Sequence, residues 1–129
     1  MAKILIIDDD PQMRRMIART LTAEHHEVIE AKDGSAGLKQ FITHRPALVI
    51  TDLMMPDKEG IETIRELRHA APDMPILAIS GGGFASYLEM ANALGANAAL
   101  AKPFLGAALI EVINRLLASA DVTPPPTES

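Results

Sequence analysis

The chain has 129 residues, of which 48% are hydrophobic, and a formal net charge of −5 at pH 7. This size predicts a single domain with a substantial core, and the negative charge disfavours direct binding to nucleic acid or to a membrane surface. The chain has no cysteine, which excludes disulfides and thiolate chemistry. It has no apolar stretch long enough for a signal or a spanning helix, so we expect a soluble, cytoplasmic protein.

Apolar runs alternate with helical patterns along the chain. The first run, Ile4–Ile7, is short, rich in β-branched residues and bounded by polar ones, which is typical of a central strand. The helical pattern that follows covers 11–24 and starts with Asp10 and Pro11, which favour a helix start. Strands are then predicted at 27–31, 47–52, 75–80 and 98–101, and helices at 33–44, 59–70, 85–95 and 105–118.

Strand followed by helix, repeated five times, predicts a parallel sheet covered by helices on both faces. We expect this domain to occupy residues 1–118. The remainder, 119–129, is rich in Pro, Ser and Thr and is predicted to be a disordered tail or the start of a linker. Ligands of such sheets bind beyond the carboxyl ends of the strands, so the residues at those ends are the candidates for function.

Four of the five predicted strands end in polar or charged residues. Asp8 and Asp9 follow the first strand, Asp52 ends the third, Ser80 ends the fourth, and Lys102 follows the fifth. Taken singly, each is typical of an ordinary loop or turn. Together, three carboxylates at one edge repel one another, by roughly 3 kcal/mol for a pair about 5 Å apart at an effective dielectric of 20.

A divalent cation and one lysine would offset the three negative charges. Hard oxygen ligands, few in number, favour Mg²⁺. Mg²⁺ and Lys102 together have the charge needed to neutralise a phosphoryl group on Asp52, and Ser80 could donate a hydrogen bond to it. The sequence therefore predicts a phosphoryl site at this edge of the sheet.

Four segments, "ILIIDDDPQMRRMI", "ALVITDLMMPDKEGIE", "PILAISGG" and "ALAKPF", occur in the order and spacing typical of one family. Over about residues 3–118 the chain resembles the receiver domain of two-component response regulators. The resemblance implies a flavodoxin-like (βα)5 fold with the parallel sheet order 2-1-3-4-5. It also implies the site roles. Asp52 is the phosphoacceptor and also a Mg²⁺ ligand, together with Asp9, its partner Asp8 and the backbone carbonyl of Met54. Ser80 is the switch residue, and Lys102 is the phosphoryl-binding lysine.

The function that the resemblance implies is a signalling module and not a metabolic enzyme. Such a domain accepts a phosphoryl group from a histidine kinase or phosphotransfer protein, with Mg²⁺ as cofactor. It catalyses only its own phosphorylation and dephosphorylation, and it acts on a downstream target or output domain that the sequence does not name. The Lys102–Pro103 peptide bond is cis in many relatives, which carries the same expectation here.

Two positions depart from the pattern of the family. Relatives usually have an aromatic switch residue three positions before the lysine, where this chain has Ala99. Relatives also often have a larger side chain at the position of Gly82. With Ala99 in the aromatic position, we expect phosphorylation to change mainly the Ser80–Phe84 loop and the start of the next helix, with Phe84 and Tyr87 as the nearest responsive aromatics.

Two other functions are compatible with parts of the sequence. Asp8-x-Asp10 resembles the nucleophile motif of the haloacid dehalogenase type of phosphatase, although Gln12 stands where that motif needs Thr or Val. A docking domain that works without phosphorylation is the second alternative. Ala99 favours it mildly, and the full set of acidic residues, Ser80 and Lys102 disfavours it.

Overall fold

The computed structural model describes residues 2–53, 59–81 and 95–121. Five strands and four helices lie in these ranges, in the order expected from the sequence. The strands are β1 (Lys3–Ile7), β2 (Glu27–Ala31), β3 (Leu48–Asp52), β4 (Ile76–Ser80) and β5 (Ala98–Ala101). The helices are α1 (Pro11–Ala23), α2 (Gly34–His44), α3 (Glu59–Ala70) and a last helix (Gly106–Asp121).

All five strands are parallel and form one sheet in the order β2-β1-β3-β4-β5, which confirms the predicted flavodoxin-like topology. The register pairs Ile7 with Thr51, and Asp52 with Ile79. The ends of β1, β3 and β4 therefore lie side by side at one edge. The helix predicted at 85–95 falls outside the described residues except for Gly95.

Two cores lie on opposite faces of the sheet, because the aliphatic residues of the strands alternate in direction. In β1, Leu5 and Ile7 belong to one core, and Ile4 and Ile6 to the other. The first core is completed by residues of α2 and α3, namely Phe41, Ile64 and Leu67. The second is completed by residues of α1 and the last helix, namely Ile17, Leu21, Leu109, Val112 and Ile113.

Aspartates cap the first two helices. The Asp10 carboxylate accepts a hydrogen bond from the Gln12 N–H at 3.0 Å, and Pro11 is the first helical residue, so the predicted start of α1 is confirmed. Asp33 accepts one from the Ala36 N–H at 2.8 Å and is the cap of α2 instead of its first residue.

The last helix extends through Asp121 and therefore includes Ser119–Asp121, which the sequence assigned to the tail. The rest of the tail lies outside the described residues. Within residues 2–53, 59–81 and 95–121, no helix combines the length and the apolar character needed to cross a bilayer.

The packing of α2 on β1 depends on Gly37. A Cβ at this position would lie 2.4 Å from Ile7 Cδ1 and 2.8 Å from Ile7 Cγ1. Ile7 is fully buried and β-branched, so it has little freedom to move aside. The glycine lets α2 approach the strand that leads into Asp8.

We predict that Gly37→Ala destabilises the protein by about 1–3 kcal/mol, as overpacking of a core does. The change runs against helix propensity, which favours Ala over Gly by about 1 kcal/mol. Urea unfolding followed by circular dichroism measures the difference. Ser35→Ala, at an exposed position of the same helix, is the control. A Gly37→Ala protein as stable as wild type would contradict the close approach.

Candidate functional site

Three aspartates meet at the carboxyl edge of the sheet. Asp8 directly follows β1 and Asp52 ends β3; they are 1% and 3% exposed, whereas Asp9 is exposed to solvent. One carboxylate oxygen from each of Asp8, Asp9 and Asp52 lies within 4.8 Å of the other two. The convergence predicted from the strand ends is therefore present in the structure.

The Asp8 carboxylate is fixed at one oxygen. Its Oδ1 accepts a hydrogen bond from the Asp10 N–H at 2.9 Å, and its main-chain N–H donates to the Ala31 carbonyl of β2 at 3.1 Å. Its Oδ2 is buried and has no hydrogen-bond partner among the described residues. Asp8 is thus anchored at one oxygen, and its other oxygen faces the cluster without a hydrogen bond.

Lys102 brings a positive charge to this cluster from the other side. Its Nζ lies 3.4 Å from Asp52 Oδ2 and 3.6 Å from Asp8 Oδ2, with the lysine side chain 21% exposed. The Lys102 N–H donates to the Ser80 carbonyl at 2.7 Å, which attaches this residue to the end of β4. The Lys102–Pro103 peptide bond is cis, as the resemblance implied.

The pKa of Asp8 is raised from 3.8 to about 6. The main cause is burial, which disfavours the charged form; the hydrogen bond from Asp10 opposes it, and the nearby Asp52 adds to the rise. Lys102 offsets part of this effect. Without a bound cation, the ionised form of Asp8 is therefore less favourable in the folded protein than in the unfolded chain.

The residues present fit a Mg²⁺ ion. The available ligand atoms among the described residues are carboxylate oxygens, which Mg²⁺ prefers. The buried Asp8 Oδ2 has no hydrogen bond, and a cation would supply the partner that this oxygen lacks. The fourth predicted ligand, the Met54 carbonyl, lies outside the described residues.

Ser80 and Ala99, the two predicted switch positions, lie on the last two strands of the sheet. Ser80 ends β4 and is fully buried; its Oγ donates to the Gly81 carbonyl at a long 3.5 Å. Ala99 lies in β5 opposite Ala78 and is half-buried against the core of α2 and α3. Gly82, Phe84 and Tyr87 lie outside the described residues.

Sequence reasoning did not identify Arg14 as part of this region. Its guanidinium donates to the Asp8 carbonyl at 2.7 Å and to Glu30 at 3.0 Å. The one available signal was its position in the first turn of α1, directly after the acidic segment. An arginine on an amphipathic helix is more often a solvated residue, so that signal is weak.

Comparisons with known proteins agree with this geometry. Residues 4–114 match the family described as response regulator receiver domain. The chain belongs to this family. It is 35% identical over 123 residues to the response regulator MprA of Mycobacterium sp. (strain KMS), covering 95% of this chain and 52% of MprA. The chain thus spans about half the length of the curated relatives it matches.

Two solved structures are similar to this chain over nearly their whole length. A response regulator receiver domain protein from Clostridium thermocellum has a TM-score of 0.88 and 30% identity, covering 94% of this chain and 98% of that one. The chemotaxis protein CheY4 of Vibrio cholerae has a TM-score of 0.84 and 30% identity, covering 90% and 98%. A receiver domain of two-component signalling is therefore the family-level description of this chain.

The raised pKa of Asp8 predicts how stability depends on pH. The folded state binds the Asp8 proton more tightly than the unfolded chain does. Without a cation, this residue therefore lowers the free energy of unfolding as pH rises from about 4 through about 6. Asp8→Asn removes the charge. We predict that the free energy of unfolding of Asp8→Asn exceeds that of wild type by an amount that grows across this window and is on the order of 2 kcal/mol at pH 7.5.

Urea unfolding at pH 4.5 and 7.5 with EDTA measures this gain. Asp10→Asn is the control, because it deletes a neighbouring exposed carboxylate and leaves a good helix cap. A difference between Asp8→Asn and wild type that is equal at the two pH values would contradict the prediction.

Proposed function

We propose that this chain is a phosphorylation-switched receiver module of a phosphorelay, which accepts a phosphoryl group on Asp52 from a histidine kinase or phosphotransfer protein. The observation that carries the proposal is the pairing of the buried Asp52 carboxylate with Lys102 at 3.4 Å, inside a group of three aspartates. A structural ion pair alone would not need two further carboxylates beside it.

In the proposed reaction a carboxylate oxygen of Asp52 attacks the phosphorus of the donor phosphohistidine. A phosphorus–oxygen bond forms, the phosphorus–nitrogen bond breaks, and the electron pair leaves with the imidazole nitrogen. Lys102 already contacts one oxygen of Asp52 and pairs with a phosphoryl oxygen as charge accumulates there. The chain thus supplies the nucleophile and the ammonium. Water later attacks the phosphorus of the acyl phosphate, the bond to the Asp52 oxygen breaks, and inorganic phosphate and the free Asp52 carboxylate are formed.

Asp8 and Asp9 are the residues that would hold Mg²⁺ together with Asp52, and Met54 would contribute its backbone carbonyl. Bound Mg²⁺ supplies positive charge to the phosphoryl oxygens. Asp8, anchored by the Asp10 N–H, would offer Oδ2 to the ion, and the exposed Asp9 leaves the site open to solvent and to the donor. Because Asp8 is buried and Asp9 is exposed, a second protein that carries the phosphoryl group can reach the site.

Ser80 is proposed to donate its hydroxyl to a phosphoryl oxygen. Its position supports this role, because it ends β4, the neighbour of the strand that ends in Asp52, and its present contact with Gly81 is long at 3.5 Å. Such a long hydrogen bond is weak, so the Ser80 hydroxyl loses little bonding energy when it turns to a phosphoryl oxygen. Ala99 has no aromatic ring that could change position when Ser80 moves. We therefore propose that phosphorylation changes the surface of β5 less than it does in relatives with an aromatic residue at this position.

The relatives support a regulatory setting for this module. MprA is named a response regulator and CheY4 a chemotaxis protein. By analogy, phosphorylation of this chain in the cytoplasm controls an attached domain or a separate target protein. The kinase and the target are then recognised by surfaces around the phosphorylation site.

We predict that wild-type protein incubated with Mg²⁺ and acetyl phosphate gains the mass of one phosphoryl group, because the small donor needs only the residues of the site. Intact mass spectrometry measures the gain. Asp52→Asn, similar in shape but without the nucleophile, should gain none. Phosphorylation that persists in Asp52→Asn would place the acceptor elsewhere, and a wild-type protein that is never phosphorylated would favour the docking-domain alternative.

We also predict that Mg²⁺ stabilises the folded protein, since binding to the folded state alone adds about 2.7 kcal/mol at a hundredfold excess over Kd. The melting temperature with and without Mg²⁺ measures this. The matched pair Asp9→Asn and Asp10→Asn separates ligand from neighbour: the first should remove most of the shift, and the second should keep it. Equal shifts in the two variants would rule out Asp9 as a ligand.

A further inference from the structure

Arg14 contacts the acidic site through the main chain. It lies in the first turn of α1, and its side chain is 20% exposed. One end of its guanidinium fork donates to the Asp8 carbonyl at 2.7 Å, and Nε donates to Glu30 Oε1 of β2 at 3.0 Å. A planar guanidinium can make both bonds at once, which an ammonium at the end of a flexible stem does less well.

The Asp8 carbonyl lies just past the last paired residue of β1. The ladder with β2 runs from Lys3 to Ile7, and the Asp8 N–H still reaches Ala31. The Asp8 carbonyl instead accepts from Arg14. The side chain thus replaces a strand partner at the point where the chain leaves the sheet.

This carbonyl and the Asp9 nitrogen belong to one planar peptide unit. Holding the carbonyl oxygen therefore fixes the direction in which the chain enters Asp9. Asp9 is exposed, so its carboxylate takes its direction from the main chain more than from packing. The Asp8 side chain depends on the same turn, because its Oδ1 is held by the Asp10 N–H two residues on.

We propose that Arg14 is a positioning residue for the divalent cation site: it fixes the Asp8–Asp9 peptide so that both carboxylates face Asp52. The inference rests on the proposed function and adds a residue that touches neither the cation nor the phosphoryl group. Glu30 pairs with the guanidinium and offsets its charge, so the contribution of Arg14 is geometric.

Geometry and charge predict opposite results when Arg14 is removed. Arg14→Met deletes a cation beside an acidic cluster, and charge alone would make Mg²⁺ bind more tightly. Loss of positioning makes it bind more weakly, by about 10-fold, the lower end of what the loss of residues that orient metal ligands costs. The sign of the change therefore decides between the two.

The experiment is isothermal titration calorimetry of the full chain with Mg²⁺ at pH 8, for wild type, Arg14→Met, Arg14→Lys and Arg15→Met. Arg15 is the neighbouring exposed arginine and controls for loss of charge. We expect Arg14→Met to bind about 10-fold more weakly, Arg14→Lys to fall between it and wild type, and Arg15→Met to match wild type or bind more tightly. The rate of phosphorylation by acetyl phosphate should recover in Arg14→Met at saturating Mg²⁺.

Unchanged or tighter Mg²⁺ binding by Arg14→Met would overturn the inference, even if its free energy of unfolding falls, because a purely structural role predicts that pattern. Should Arg14→Met fail to fold, Arg14→Lys decides, since it retains the charge: wild-type affinity overturns the inference and weaker binding supports it. A wild-type protein that does not bind Mg²⁺ would overturn the proposed cation site itself, and the inference with it.

Discussion

Repulsion among three carboxylates at one edge of the sheet is the constraint around which this structure is arranged. Asp8 and Asp52 are almost fully buried, and Lys102 supplies one positive charge against three negative ones. Two negative charges remain uncompensated, which equals the charge that a divalent cation brings. The cost of this arrangement falls on Asp8, whose pKa is raised chiefly by its own burial. The rest of the fold must hold these groups together against a force that separates them.

The sheet provides that resistance through rigid strands with aliphatic residues on both faces. Because β1 and β3 are neighbouring strands, Asp8 and Asp52 lie side by side. Helix α2 covers β1, and Gly37 allows it to pack closely against Ile7. Lys102 comes from β5, which is separated from β3 by β4. A long side chain is needed to span that strand, and the lysine stem passes near Gly81, where a Cβ would lie 3.8 Å from Lys102 Cδ. A positively charged side chain shorter than lysine would not reach Asp52 from position 102.

The sequence predicted the strands and most helix limits because the relevant signals are local. Short β-branched runs, Asp caps and helical spacing depend on neighbours along the chain, and the strand order came from family resemblance. The helix end at Asp121 was predicted too early, since Ser119–Asp121 lack apolar periodicity although a helix that has formed continues through such residues. The contact of Arg14 with the Asp8 carbonyl has only one sequence signal, its position just after the acidic segment, and that signal is weak because an arginine on such a helix is more often solvated. The carboxylate cluster was predictable because parallel strands end at a common edge.

The three consecutive aspartates divide their work according to backbone geometry, although their chemistry is the same. The Asp10 carboxylate accepts a hydrogen bond from the Gln12 N–H, and the Asp10 N–H donates one to Asp8 Oδ1. That single residue therefore starts α1 and orients the buried Asp8 carboxylate, and it places the positive end of the helix dipole beside the acidic cluster. Any movement of the turn changes the direction of the carboxylates and the local potential together. In the proposed site, the conformation of the Asp8–Asp10 turn and the affinity for a cation are therefore coupled, and a residue that holds the turn would influence Asp52 without contacting it.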